Sequence, residues 1–277
     1  KVIHTLIKGG VALFSAHTGM DVSGTGGLTA VREGLAFENV SFQYQDAKAP
    51  VFEGISFAAR RGETVGIIGA TGAGKSSLVN LVPRFYDATE GAVKVDGVDI
   101  RSLDLHALRE RVAIVPQQNL LFTGTIADNL RWGKQDATEA EMWEALAAAQ
   151  AEGFVRGFPE GLQTQLGQGG VNLSGGQKQR ISIARALIKR PDILILDDCT
   201  SAVDVTTEAA IRAALKRFST DILCLMISQR ISSVMTAYRI VVLDQGRIVG
   251  LGTHAQLMRA CDVYRDIYRS QIGKEVA

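Results

Sequence analysis

A chain of 277 residues can hold one large α/β domain or two small ones, with ample length for a sizeable core. Lys and Arg number 30 against 29 Asp and Glu, so the net charge of +1 indicates neither a basic face for nucleic acid nor an acidic tail. Apolar residues make up 46%, and no run of 18 or more of them occurs, so no segment here reads as a membrane-spanning helix.

Residues 1–34 lack a firm period and include Ser23-Gly24-Thr25-Gly26-Gly27; they read as a linker that follows the frayed end of a helix. The chain starts at Lys1 rather than Met without a signal-peptide pattern, and is expected to be a piece of a longer polypeptide whose other part lies in a membrane. Ordered structure is expected from Leu35. Phe37, Val40, Phe42 and Tyr44 are roughly alternating β-formers, and Val51–Ala59 repeats the theme after Pro50. Thr64–Ile68 suits a buried central strand, and Ser76–Arg84 a helix. Ala92–Ile100 reads as a hairpin around Asp96-Gly97. A helix at Leu105–Arg111 and a strand at Val112–Val115 follow, the strand stopped by Pro116. Thr125 to about Gly157 is helical and Ala-rich. A Gly-rich loop at Gly167–Val171 precedes a helix to about Lys189, and Ile193–Leu196, Ile222–Ile227 and Ile240–Leu243 fit parallel strands covered on both faces. Cys199, Cys224 and Cys261 are far apart and lack metal-ligand spacing; they read as ordinary thiols of a reducing compartment.

Gly69-Ala-Thr-Gly-Ala-Gly74-Lys75-Ser76 matches G-x-x-x-x-G-K followed by Ser or Thr, between a buried strand and a helix. The glycines allow a tight turn whose backbone amides face inward on phosphate oxygens, and the following helix aims its positive end at the same anion. Lys75 would meet the β- and γ-phosphates, and the Ser76 hydroxyl would ligate Mg²⁺. A random chain of this length would match the pattern on the order of one time in a hundred. Gly69, Ala70, Thr71, Gly72, Ala73, Gly74, Lys75, Ser76 and Ser77 are therefore the nucleotide-binding candidates. Downstream, Ile193-Leu-Ile-Leu-Asp197-Asp198 puts two carboxylates at the C-terminal end of an apolar strand, the edge where open α/β sheets bind ligands. Asp197 is the natural partner of the Mg²⁺ held by Ser76.

From about Leu35 to Gly273 the sequence resembles the ATP-binding cassettes of ABC transporters. Leu173-Ser174-Gly175-Gly176-Gln177 is similar to the signature that separates this family from other phosphate-loop ATPases. The resemblance implies a RecA-like P-loop NTPase core, an α/β fold, with an antiparallel β-subdomain and an α-helical signature subdomain at about 118–185, within a cassette at 35–277. It implies that Ser174, Gly175, Gly176 and Gln177 grip the γ-phosphate of ATP held by the opposite cassette of a head-to-tail dimer; a plain helix start with Ser174 as N-cap is compatible with that role. Tyr44 matches the aromatic that stacks on adenine, although a strand tyrosine alone is more often packing. Gln117 matches the glutamine that contacts Mg²⁺ and the attacking water, and Ser201 and Asp204 fall in the loop that crosses the dimer interface. Phe122-Thr-Gly-Thr-Ile-Ala-Asp-Asn129 and Gly167-Gln-Gly-Gly-Val171 look like the exporter branch. ATP and Mg²⁺ are the implied cofactors, and a second cassette and a membrane-spanning domain the implied partners. The implied location is the cytoplasmic face of a membrane, a bacterial inner membrane in the first instance.

Two positions depart from the family pattern. Active members usually place a glutamate directly after the Walker B aspartate; here Asp198 leaves the carboxylate short by one carbon–carbon bond, about 1.5 Å. Active members also carry a histidine after the next strand, whereas Gln229 stands here in Ser228-Gln229-Arg230, and none of the four histidines lies nearby. Both changes weaken catalysis at the γ-phosphate, through base placement and loss of charge. With Gln168 in the loop before the signature, they point to the degenerate half of a heterodimeric exporter. A slowly hydrolysing homodimer is the alternative, and a soluble ABC ATPase or a nucleotide-sensing regulatory subunit is the competing class. His254, in a late turn, and Cys199 read as structural. Trp132 and Trp143 read as packing, with docking to a membrane-domain helix open for Trp132.

Overall fold

The computed structural model describes residues 34–118, 120–198, 205–218 and 220–272. The expected linker, but for Gly34, lies outside the described residues, as do Cys199, Ser201 and Asp204. The N-terminal half starts with β1 (Leu35–Phe42), β2 (Phe52–Ala59) and β3 (Thr64–Gly69), then α1 (Lys75–Asn80), β4 (Glu90–Val95) and β5 (Val98–Asp99). Next come α2 (Leu105–Arg111), β6 (Val112–Val115), β7 (Gly124–Thr125) and α3 (Ile126–Arg131). They lead into α4 (Glu139–Ala148), α5 (Glu152–Arg156), β8 (Gln165–Leu166) and α6 (Gly175–Leu187). The last third comprises β9 (Ile193–Asp197), α7 (Val205–Phe218), β10 (Leu223–Ile227) and α8 (Ile231–Val234), then β11 (Arg239–Asp244) and β12 (Arg247–Gly252). Two helices, α9 (His254–Ala260) and α10 (Asp262–Ile272), close it.

A six-stranded sheet runs in the order β12-β11-β3-β10-β9-β6, parallel throughout except at the β12 edge. Its strands separate two apolar cores. Ile67, Ile195 and Leu225 face the core shared with the smaller sheet, whereas Ile68, Leu194, Leu196 and Met226 face the helices. Burial on both faces is why these strands read as unbroken apolar runs rather than alternating ones. The smaller sheet is antiparallel, in the order β2-β1-β4-β5. In β1 the left-handed Asn39 (φ 49°) marks an irregularity in register between Phe37 and Val40, so both side chains reach the same core although three residues apart. The expected Asp96-Gly97 turn joins β4 to β5 with both residues at positive φ, 50° and 79°.

The two sheets are tied by four charged side chains. Arg61, just before β3, binds Asp96 at 2.7 Å and Asp192 at 3.0 Å. Arg111, ending α2, binds Asp192 at 2.6 Å and also reaches Asp96. Burial alone would raise both carboxyls, but the guanidinium hydrogen bonds outweigh it and hold Asp96 and Asp192 below the usual carboxylate range.

Several elements differ from the sequence-based expectations for local reasons. The first helix ends at Asn80 rather than Arg84, because Pro83 offers no amide and disfavours a helical residue before it. The helical stretch after Thr125 breaks into α3, α4 and α5, with Thr125 and Thr138 closing capping boxes on Asp128 and Glu141. At the end of α3, a Cβ on Gly133 would lie 2.1 Å from the Arg185 carbonyl, so only glycine lets this turn approach α6. His254 is the first residue of α9, behind Thr253 as N-cap, and not a late turn. Its Nδ1 lies 2.8 Å from the buried Tyr264 hydroxyl, and this bond helps fasten α9 to α10. Among the described residues, no helix is long and apolar enough to cross a membrane.

Candidate nucleotide site

The turn after β3 is shaped by its neighbours as much as by its glycines. A Cβ on Gly69 would sit 2.2 Å from the carbonyl of Leu243 on β11, so the parallel pairing itself requires glycine there. Gly74 adopts φ 91° and forms the N-cap of α1 without a side-chain cap bond, so no side chain caps the first amides of that helix. Lys75 is buried, only 8% exposed, and its Nζ donates to the Gly69 and Ala70 carbonyls at 2.8 Å each. Burial lowers its pKa, with the charges of Asp198 and Asp197 acting against that.

Asp197 ends β9 beside this loop, and the Ser76 hydroxyl donates to its Oδ1 at 3.2 Å. Burial raises the Asp197 pKa; Asp198 adds to the rise, and Ser76 and Lys75 oppose it. A hydroxyl and a carboxylate side by side form an oxygen donor set that fits Mg²⁺, which takes one or two protein oxygens and fills its shell with water and substrate phosphates. No cluster of three or more His, Cys, Asp or Glu that could hold a metal by protein alone occurs among the described residues.

Asp198 is in the left-handed region at φ 44°, and its amide donates to the Ile227 carbonyl at 2.8 Å. Its Oδ2 faces two amides, Gln229 Nε2 at 3.4 Å and Gln117 Nε2 at 3.5 Å, while Gln229 Oε1 lies 3.5 Å from the Thr71 hydroxyl. These are long contacts at the limit of hydrogen bonding. Groups following β3, β6, β9 and β10 thus converge at the C-terminal edge of the parallel sheet, where such sheets bind ligands.

Tyr44 lies two residues beyond β1. Its hydroxyl is 2.9 Å from Ser77 Oγ, and its ring stands edge-on to Phe42 and Tyr86 with centroids at 4.7 and 5.2 Å. It is fixed to the phosphate loop yet 38% exposed. Ser174, Gly175, Gly176 and Gln177 stand elsewhere, at the start of α6, which packs on α3, α4 and β6, whereas α1 packs on β3 and β10. Ser174 Oγ accepts from the Gln177 amide at 3.3 Å, and Gln177 Oε1 accepts from the Ser174 amide at 2.9 Å. The signature is therefore also a capping box. A cavity of about 940 Å³ lined by Thr64, Ile222, Cys224 and Tyr238 opens at the N-terminal edge of β3 and β10, the opposite end from these groups. Sequence reasoning missed the Tyr44–Ser77 link and a contact to Gln229 from Gln271, far along the chain.

The family model described as ABC transporter matches residues 52–201. An uncharacterized ABC transporter ATP-binding protein of Mycobacterium tuberculosis is 48% identical over 250 residues, covering 89% of this chain and 42% of that protein. A putative multidrug export ATP-binding/permease protein of Bacillus subtilis is 45% identical over 241 residues, covering 87% of this chain and 42% of that one. The solved structure of a bacterial Atm1-family ABC exporter with ATP bound superposes with a TM-score of 0.82 at 37% identity, over 91% of this chain and 44% of that chain. This chain spans less than half the length of each of these proteins. By family model, sequence identity and fold, the chain belongs to the ABC transporter family and carries its nucleotide-binding fold.

Proposed function

We propose that the chain is the ATP-binding motor domain of an ABC exporter, which dimerises around Mg-ATP to power export, and that its own site hydrolyses weakly. The observation that carries the ATP-binding part is the convergence of Lys75, Ser76 and Asp197 on one glycine-lined turn. In this reading the turn at Gly69–Ser77 cradles the phosphates through backbone amides, and Lys75 leaves its two carbonyls to meet them. Tyr44 offers its ring to adenine. Ser76 and Asp197 would hold Mg²⁺, which when bound neutralises and aligns the phosphate oxygens.

The weak-site part rests on Asp198 and Gln229. A general base must reach the attacking water at hydrogen-bond distance, and Asp198 is one methylene short and engaged by two amides. Gln229 can donate a hydrogen bond but brings no charge to the transition state. The intact start of α6 is then free to serve the site of a partner cassette. A partner with a competent site, in a heterodimer, fits this division of labour. The family relatives named as ATP-binding/permease proteins support a membrane-spanning partner. So does the exposed Trp132, its ring tilted by 33° against that of Phe122 with centroids at 4.8 Å, as a place for it to dock.

The test measures Mg-ATP binding and phosphate release by the purified chain, alone and with a candidate partner cassette. Tight binding, slow turnover alone and faster turnover with the partner are expected. Vigorous turnover alone would rule out the weak site, and no binding would rule out the nucleotide reading.

A further inference from the structure

The loop that presents Gln229 is held from behind by the last helix. On α10, Tyr264 is fully buried, and Ile267 and Tyr268 pack against the same core. Gln271 follows at helical spacing, so positions 264, 267, 268 and 271 share one face. There Gln271 Nε2 donates to the Gln229 backbone carbonyl at 2.7 Å, and its Oε1 accepts from the Ile231 amide at 2.8 Å.

Both backbone groups call for such a partner. Ile231 is the first residue of α8, and the first amides of a helix have no acceptor within it. Arg230, at the N-cap, contributes no side-chain cap bond. Gln271 therefore caps α8 from a distant part of the chain. A primary amide suits the task because it carries a donor and an acceptor on one planar group. The Arg230 amide of the same turn donates to Ser228 Oγ at 3.0 Å. The backbone on both sides of Gln229 is thus pinned, while among the described residues its side chain makes only the long contacts to Asp198 and Thr71.

We propose that Gln271 is a positioning residue for ATP hydrolysis, and that through it α10 forms part of the assembly that aims residue 229 at the γ-phosphate. The proposal rests on the reading of this site as one that turns over ATP. Placement within a fraction of an ångström governs such chemistry, so a displacement of α10 that breaks the two bonds releases residue 229 and slows the reaction. The C-terminal helix becomes a lever on the site, anchored at its other end by the bond between His254 and Tyr264.

The test makes Gln271→Ala, Gln271→Glu and Gln271→Lys in the 277-residue chain, and again in the chain carrying Asp198→Glu with Gln229→His. Alanine removes both bonds. Glutamate keeps an acceptor for the Ile231 amide but turns a like charge on the Gln229 carbonyl; lysine keeps only a donor. The expected result is a kcat lower by about tenfold for alanine, with glutamate and lysine between it and the parent. KM for ATP stays near the parent value and Tm falls by about 2–4 °C, the cost of a lost helix cap, whereas a merely structural residue would show that fall in Tm with kcat per folded molecule unchanged. Unchanged kcat for Gln271→Ala in both backgrounds overturns the proposal. If Asp198→Glu with Gln229→His fails to raise turnover, the weak-site reading falls, while the wild-type series still decides the role of Gln271. Absence of turnover in every background overturns both.

Discussion

Gln229 and Asp198 meet across the sheet edge, with Nε2 of the first 3.4 Å from Oδ2 of the second. Gln117 Nε2 lies 3.5 Å from the same oxygen. Even at this length, two amide donors beside one carboxylate oxygen leave that oxygen less open to an incoming water. Lengthening the acid moves its oxygens by about 1.5 Å, one carbon–carbon bond, and an imidazole at 229 adds a group that can carry charge. Asp198→Glu with Gln229→His is therefore expected to raise turnover at least about tenfold, the lower end of what a well-placed acid or base contributes being about a hundredfold. Phosphate release at saturating Mg-ATP measures it. Each single change should give less than the pair, and a pair no faster than wild type would show that the departures at these positions are not what limits the site.

Lys75 should matter to nucleotide and little to the fold. Among the described residues its ammonium bonds only carbonyls of its own loop, and burial already works against its charge. Removing a charge-assisted hydrogen bond costs about 1.5–3 kcal/mol, so Lys75→Ala is expected to weaken ATP binding roughly ten- to a hundredfold. Calorimetry of Mg-ATP binding checks this, and thermal unfolding without nucleotide should stay close to wild type. Unaltered affinity would remove Lys75 from the phosphate site.

The features legible in the sequence were those encoded within a few residues. Strand β3 announces itself as an apolar run ending at Gly69, and β9 as one ending in Asp197 and Asp198. The helix Leu105–Arg111 and the strand Val112–Val115 agree with the reading to the residue. What escaped depends on residues far apart in the chain. Gln271 is one polar side chain among several on an amphipathic helix, and only the docking of α10 shows that it faces Gln229. Arg61 and Asp192 are 131 residues apart, and neither is marked by any local pattern. The end of α3 at Gly133 is set by a carbonyl on α6, which no helical periodicity could reveal.

Ser174 has two separable duties, and substitutions can part them. Its hydroxyl caps α6, and the proposed dimer asks the same group to meet a partner's phosphate. Ser174→Ala is expected to cost about 1 kcal/mol of stability, or about 2–4 °C in Tm. Ser174→Gly should cost only a few tenths of a kcal/mol as a cap, while losing the trans contact just as completely. If the signature acts in trans, both variants fail to stimulate a competent partner cassette to the same degree despite different Tm values. Stimulation that tracks Tm would mean that Ser174 acts through the helix alone.

The Arg61, Asp96, Arg111 and Asp192 cluster gives the acid limb of the stability curve. Both carboxyls have folded pKa values below their ordinary ones, because the guanidinium hydrogen bonds outweigh burial. Such groups add stability that is fully present above the unfolded value of about 3.9 and is lost as pH falls through the lower folded values. The side chains are 24% to 32% exposed, so the pairs lie between surface and buried cases. Asp192→Asn should then cost about 1–3 kcal/mol at neutral pH, between the limits for exposed and buried pairs. Urea unfolding across pH checks both parts: the gap between wild type and Asp192→Asn should hold from neutral pH down to about 5 and close below about 4. A gap that stays open in strong acid would trace the loss to altered packing where the two sheets join, and not to the charges that bind Asp192 to Arg61 and Arg111.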